Sequence, residues 1–314
     1  MSKIQWTERT WNPIVGCSVV SPGCTNCYAM RQAARLLDKP GSHYDGTTQV
    51  VNGKAVWTGK VALAPDHILT APLRRKKPTV YFVNSMGDLF HEDVPDDWID
   101  RVFAVMALCP RHIFQVLTKR GDRMRAYINR QGAGATPDRA WYLFAAIRNF
   151  INDEYHENAR FIYDETPFPW PLPNVWIGTS IEDRRRGEER AWHLAQTPAA
   201  VRFWSIEPLL EDLGNLTTLG LRDMIDGSRR AVDWVIIGGE SGPGARPFNI
   251  EWARSIIRQC RAAGVPVFVK QLGATPVNYY GHALKLRDRK GGDMTEWPAE
   301  LRVREMPTRE RARA

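Results

Sequence analysis

Three of the chain's five cysteines fall within eleven residues, as Cys17, Cys24 and Cys27, in a C-x6-C-x2-C pattern. Thiolates this close repel one another and exposed thiols oxidise, so the crowding calls for a bound soft metal or cluster. Cys24 and Cys27 are three apart, which puts both sulfurs on one face of a helical turn. Pro22-Gly23 turns the chain just before them and lets Cys17 fold back toward the same point. Three thiolates are one ligand short of the usual four. Either a fourth ligand comes from elsewhere, or one position stays open for a substrate or cofactor, as in catalytic sites. Zinc would take a fourth protein ligand, and His43 is the nearest histidine in sequence. An iron–sulfur cluster would accept the three cysteines and leave one iron open. The plainer reading is a disulfide and a spare thiol. The odd cysteine count argues against it, as does a start that lacks the apolar core of a signal peptide.

The elements around the motif follow from hydrophobic patterning. A short strand at about 11–16 precedes the cysteines, and Tyr28 to Leu37 reads as a helix, so the cysteines lie on a strand-to-helix loop. Further apolar strands are expected at Gly59–Ala64, Thr79–Asn84, Ile113–Leu117, Val175–Gly178, Arg202–Ser205, Trp234–Ile237 and Val265–Val269. Helices are expected at Pro95–Leu108, about 121–130, 138–162, 183–196 and 250–263. Cys109 and Cys260 read as buried structural thiols. Continuous Val/Ile/Phe strands alternating with helices mean a parallel sheet buried on both faces. The fold class is therefore α/β. About seven parallel strands fit a complete or partial (β/α) barrel, with a doubly wound open sheet as the alternative. One domain is expected over 1–280, with an insertion near 40–60 and a helical insertion near 136–165. Residues 281–314 read as a basic, weakly ordered tail.

Chemistry in parallel α/β folds sits at the carboxyl ends of the strands. Nearly every strand expected here ends in polar residues. These are Cys17; Ser85, Asp88 and His91; Thr118, Lys119 and Arg120; Ser180 and Glu182; Ser205 and Glu207; Gly239, Glu240 and Ser241; and Lys270 and Gln271. Closing the sheet would bring them to one mouth. Loops are polar anyway, but that does not explain charge following the apolar run so abruptly, strand after strand. Asp88 and His91 read as an acid–base pair or as a capped helix start. Lys119 and Arg120 read as a clamp for a carboxylate or phosphate. Gly238-Gly239-Glu240 would let backbone approach a ligand closely.

The formal charge is +8 and the isoelectric point about 9.4, which suits a polyanionic partner, nucleic acid or nucleotide above all. The charge is clustered at Arg74-Arg75-Lys76-Lys77, Arg184-Arg185-Arg186, Arg229-Arg230 and in the tail. No apolar run reaches the length of a membrane span, so a cytoplasmic, reducing compartment is the expectation.

Taken together, these motifs resemble the radical S-adenosylmethionine enzymes, whose usual signature is C-x3-C-x2-C after the first strand of a partial barrel. Here the first gap is six. That departure is similar to a phage-associated, radical-SAM-like family with a three-cysteine motif, itself distantly similar to spore photoproduct lyase. The resemblance runs from about Trp6 to Gly273. It includes Asn12-Pro13, Gly23-Cys24-x-x-Cys27-Tyr28-Ala29, Met86-Gly87-Asp88-Leu89-Phe90-His91, Leu117-Thr118-Lys119-Arg120, Ser205-Ile206-Glu207-Pro208-Leu209-Leu210, Gly238-Gly239-Glu240-Ser241-Gly242 and Lys270-Gln271-Leu272-Gly273. The resemblance implies a [4Fe–4S] cluster on Cys17, Cys24 and Cys27, with S-adenosyl-L-methionine as cofactor. Asn26 and Tyr28 would lie near the adenine. Asp88, Ser180, Glu182, Glu207, Gly239 and Glu240 would meet the amine and ribose hydroxyls, and Lys119 or Arg120 the carboxylate. An external electron donor belongs to that chemistry, and a partner protein encoded nearby stays open. The competing expectation is a non-catalytic iron–sulfur or zinc protein that binds nucleic acid.

Overall fold

A computed structural model describes residues 4–37, 41–130, 170–221 and 231–307. Seven strands form the main sheet: β1 (Arg9–Trp11), β2 (Val80–Val83), β3 (Ile113–Thr118), β4 (Val175–Ser180), β5 (Val201–Ile206), β6 (Trp234–Gly238) and β7 (Val267–Gln271). All pair in parallel and in chain order. The sheet curls through 208° into a half-barrel. This is the partial form of the expected barrel. A doubly wound sheet needs a reversal of strand order, and this order never reverses.

The helices are α1 (Tyr28–Leu37), α2 (Asp96–Ala107), α3 (Gly121–Asn129), α4 (Arg184–Ala195) and α5 (Ile250–Ala263), of which α2 to α5 cover the convex face. Their starts are written locally. Asp96 and Asp97 sit in the first turn of α2, Asp183 caps α4 by accepting from the Arg186 amide, and Asn249 caps α5 by accepting from the Glu251 amide. Val83, Val116, Ile177, Val235 and Val269 face these helices and form the larger core with Val102, Phe103, Met106, Ile256 and Ile257. Cys109 and Cys260 are buried in it, as expected.

The concave face carries a second core. Phe82, Trp176, Phe203, Trp234 and Phe268 meet there around Trp6, whose ring centroid lies 4.7 Å from that of Phe82 and 6.2 Å from that of Trp234. Side chains on a strand alternate with period two. The concave row therefore runs from Leu117 to Lys119, from Phe203 through Ser205 to Glu207, from Ile236 through Gly238 to Glu240, and from Phe268 to Lys270. An aromatic floor gives way to a polar rim at the carboxyl ends.

The insertion near 40–60 is a hairpin, Thr48–Val51 against Lys54–Trp57, turned at Asn52 and Gly53 with φ of 49° and 73°. Trp57 and Tyr44 pack it onto Met30 and Ala33 of α1. The short strand near 59–64 is Ala62–Leu63, antiparallel to Ile14–Val15. The expected helix over 138–162, the helical insertion and Arg229-Arg230 lie outside the described residues.

The tail departs from expectation. Trp297, Leu301 and Val303 are buried in the larger core. The Val269 amide donates to the Val303 carbonyl at 2.8 Å and the Glu305 amide to the Val267 carbonyl at 3.0 Å, so this stretch covers the open edge of β7. The domain thus continues past 280 to at least 307. Among the described residues no helix is long and apolar enough to cross a membrane.

Candidate active site

The polar rim encloses a cavity of about 260 Å³. Cys17, Cys24 and Cys27 line it, with Asn26, Tyr28, Asp88, Lys119, Arg120, Ser180, Glu207, Gly239, Glu240 and Lys270. Trp6, Phe82 and Leu117 form its apolar floor. None of the cysteines is in a disulfide. Gly16 turns the chain into the site at φ 88°, and a Cβ there would stand 2.0 Å from the Lys60 carbonyl oxygen. A one-turn 3₁₀ helix at Pro22–Cys24 then leads into α1. Among the described residues, no three His, Cys, Asp or Glu side chains are drawn close enough to enclose a single ion.

Arg120 organises the base of the motif. Its Nη1 lies 3.6 Å from Cys17 Sγ and 3.1 Å from Asp88 Oδ2, Nη2 donates to Ser18 Oγ at 2.6 Å, and Nε donates to Glu92 Oε2 at 2.6 Å. Burial and the Asp88 carboxylate push the Cys17 thiol up to about 12, while Arg120 pulls it the other way. Arg120 itself is held above its ordinary value: burial opposes its charge, but Asp88, Glu92 and Cys17 outweigh that.

Asp88 and His91 are not an acid–base pair. The Asp88 carboxylate accepts four donors besides: Thr118 Oγ1 at 2.6 Å, the Phe90 and Lys119 amides at 3.1 Å, and Arg120. That leaves it a hub for the loop after β3. His91 is 1% exposed and does not reach the cavity wall. Its Nδ1 accepts the Asp93 amide at 3.1 Å, so Nε2 carries the proton and donates to Ser18 Oγ at 3.0 Å. Burial and Arg120 hold it below the usual imidazole range. Both residues fix the chain beside Cys17.

Glu182 also works beneath the wall. It is fully buried, accepts from Arg190 Nη1 at 2.9 Å, and its carboxyl lies against Gly23, where a Cβ would be 3.0 Å away. Burial opposes its charge, but Lys119, Arg190, the Ser21 hydroxyl and the Gly23 amide hold it below the usual carboxylate range. It therefore seats the Pro22–Cys24 turn.

Glu240 does the same from the far side of the sheet. It accepts from Asn26 Nδ2 and from the Arg246 amide, each at 2.9 Å, and from the Arg246 guanidinium. Arg246 Nη2 also donates to the Pro22 carbonyl at 2.9 Å. Glu207 lies 3.2 Å from Lys270 Nζ, and a Cβ on Gly238 would come within 2.3 Å of its Oε1. Tyr28 is 48% exposed at the mouth and donates to the Ser85 carbonyl at 3.0 Å. The Lys119 side chain is half-buried on the wall and makes no hydrogen bond among the described residues.

Sequence reasoning missed Arg190, Arg246 and Ser18. Only Arg190 carried a signal, eight residues after Glu182 on the helix that follows the same strand. The basic clusters stand apart. Arg184 and Arg186 pair with Glu188 and Asp183, and Arg74 to Lys77 line an open groove with Arg9 and Tyr81 beside the β1 edge. No curated protein and no solved structure gives a significant match. The profile of DUF5131, described as a protein of unknown function, matches residues 1–300, and the chain belongs to that family.

Proposed function

We propose that this protein is a radical S-adenosylmethionine enzyme that abstracts hydrogen from a nucleobase, nucleotide or nucleic acid. The observation that carries the reading is the meeting of three unpaired cysteines with a charged rim on one cavity at the carboxyl ends of a parallel half-barrel. The donor set fits the cofactors. Cys17, Cys24 and Cys27 would hold a [4Fe–4S] cluster. When bound, the cluster supplies the electron that splits S-adenosylmethionine and so the means of hydrogen abstraction.

The chain's own residues bind and orient. Lys119 offers a cation to the cofactor carboxylate, Glu207 accepts from its amine or ribose, and Tyr28 offers a ring to the adenine. Arg120, Asp88, Ser18 and His91 hold the Cys17 end of the motif, while Glu182 and Glu240 hold the Cys24 and Asn26 end. Trp6, Phe82 and Leu117 close the floor against water. The net charge of +8 supports an anionic substrate.

The test is anaerobic purification followed by iron, sulfide and zinc analysis, then dithionite and S-adenosylmethionine. Four irons per chain with 5′-deoxyadenosine is the expected result, and Cys17→Ala should lose both. Stoichiometric zinc, no iron after reconstitution and no 5′-deoxyadenosine would discard the reading in favour of a metal-stabilised nucleic-acid-binding protein.

A further inference from the structure

Beyond β7 the chain places two aromatic rings in solvent. Tyr279 is 72% exposed and Tyr280 79%. The turn that carries them is tightly bonded. Asn278 Oδ1 accepts the amides of Tyr280 and His282, each at 3.0 Å, and the Asn278 amide donates to the His282 carbonyl at 2.9 Å. Gly281 completes the turn at φ 79°, and Val277 bridges Ala283. Leu284 and Leu286 root it on the larger core. The two rings are therefore held in solvent, 5.4 Å apart and nearly perpendicular.

The segment that follows is basic. Lys285, Arg289 and Lys290 are exposed and have no side-chain partner among the described residues. The nearby acids are already occupied. Glu296 pairs with Arg287 at 3.0 Å, Asp288 accepts the amides of Lys290, Gly292 and Asp293, and Asp293 accepts from Thr295. The chain reaches this turn from the cavity: Lys270 and Gln271 line it, and the Ala274 amide donates to the Glu240 carbonyl at 2.7 Å.

We propose that the Tyr279–Tyr280 turn, with Lys285, Arg289 and Lys290, is a docking surface for single-stranded nucleic acid. Exposed rings stack on unpaired bases of any sequence, and neighbouring cations track the phosphates. A duplex hides its base faces from such rings. The surface deepens the proposed function, on which its delivery role rests, by making the substrate a polynucleotide. Strand binding itself does not depend on that function.

The test is fluorescence anisotropy of the full-length protein with a fluorescein-labelled single-stranded DNA oligonucleotide of mixed sequence, and with its duplex. The wild type should prefer the single strand. Tyr279→Ala/Tyr280→Ala should weaken binding by about ten-fold or more, while Tyr279→Phe/Tyr280→Phe should stay within about two-fold. Lys285→Gln/Arg289→Gln/Lys290→Gln should flatten the salt dependence by about two in logarithmic slope. Iron content should be the same in all variants. No binding of the strand, equal affinity for the duplex, or an alanine pair that binds like the wild type would overturn the proposal. Strand binding with these variant effects, in a protein that holds no iron, would sink the enzyme and leave the surface standing.

Discussion

Arg120 Nη1 lies 3.6 Å from the Cys17 sulfur and is the only cation within hydrogen-bonding reach of that thiol among the described residues. The same guanidinium also contacts Asp88, Ser18 and Glu92. Four acceptors on one planar fork is a geometry that lysine cannot reproduce. Arg120→Ala strips the buried Asp88 carboxylate of its counter-charge, at a cost of about 3–5 kcal/mol. Arg120→Lys keeps a charge but cannot span Asp88, Glu92 and Ser18 at once, so it should fall between alanine and wild type. Urea unfolding of the apo protein checks this, and a lysine variant as stable as wild type would refute the hub. Iron uptake on reconstitution should fall in both variants.

Lys119 is the converse case. It is one residue away, but its side chain makes no hydrogen bond among the described residues and its charge acts only at a distance on buried Glu182, so Lys119→Gln should cost about 1 kcal/mol or less, well below the Arg120 variants. Its loss should instead be felt by the ligand. Calorimetric affinity of the reconstituted protein for S-adenosylmethionine should fall by roughly 1.5–3 kcal/mol, the worth of a charged hydrogen bond. Unchanged affinity would remove Lys119 from the site.

Four of the five cysteines should separate by access rather than by acidity, since burial pushes the Cys17 thiol up to about 12 just as it does Cys109 and Cys260. Cys17 and Cys27 are half-buried on the cavity, whereas Cys109 and Cys260 are fully buried in the core. Iodoacetamide should label the first pair in the folded apo protein, and the second only after denaturation. Cys109→Ala and Cys260→Ala should keep wild-type iron content. Labelling of Cys260 in the native protein would contradict its place on the buried face of α5.

The rim was legible in the sequence because period two carries straight through it. Once Phe203 is assigned inward, Ser205 and Glu207 must follow, and the same step takes Phe268 to Lys270. What each rim residue does was not legible. Asn26 and Glu240 meet across 214 residues of chain, and no local pattern encodes that. Asp88 looked like a free acid because its four donors come from the turn after it and from the end of the next strand. His91 looked reactive because its burial depends on Ser18 and the turn to Asp93. The last fault was compositional. Trp297, Leu301 and Val303 are spaced among charges, and their cover of the β7 edge appears only once that edge exists.

Glu182 gives the one prediction with a pH axis. It is a fully buried carboxylate facing Arg190, and its folded value is lowered from the ordinary 4.5. A depressed folded value stabilises the protein above the unfolded value, and that stabilisation disappears as pH falls through the folded one. Near neutrality, Glu182→Gln should cost about 3–5 kcal/mol, because Arg190 is left buried without its counter-charge. As pH falls below about 4.5, wild type should lose the contribution that the variant already lacks, so the gap between their urea midpoints should narrow. A gap that stays constant down to about pH 3 would mean that Glu182 is not charged in the fold. The same variant should open the Pro22–Cys24 turn that Glu182 seats, read as faster proteolysis within the cysteine loop. Proteolysis unchanged in a destabilised variant would confine Glu182 to the sheet and leave the cysteine loop to Glu240 and Arg246.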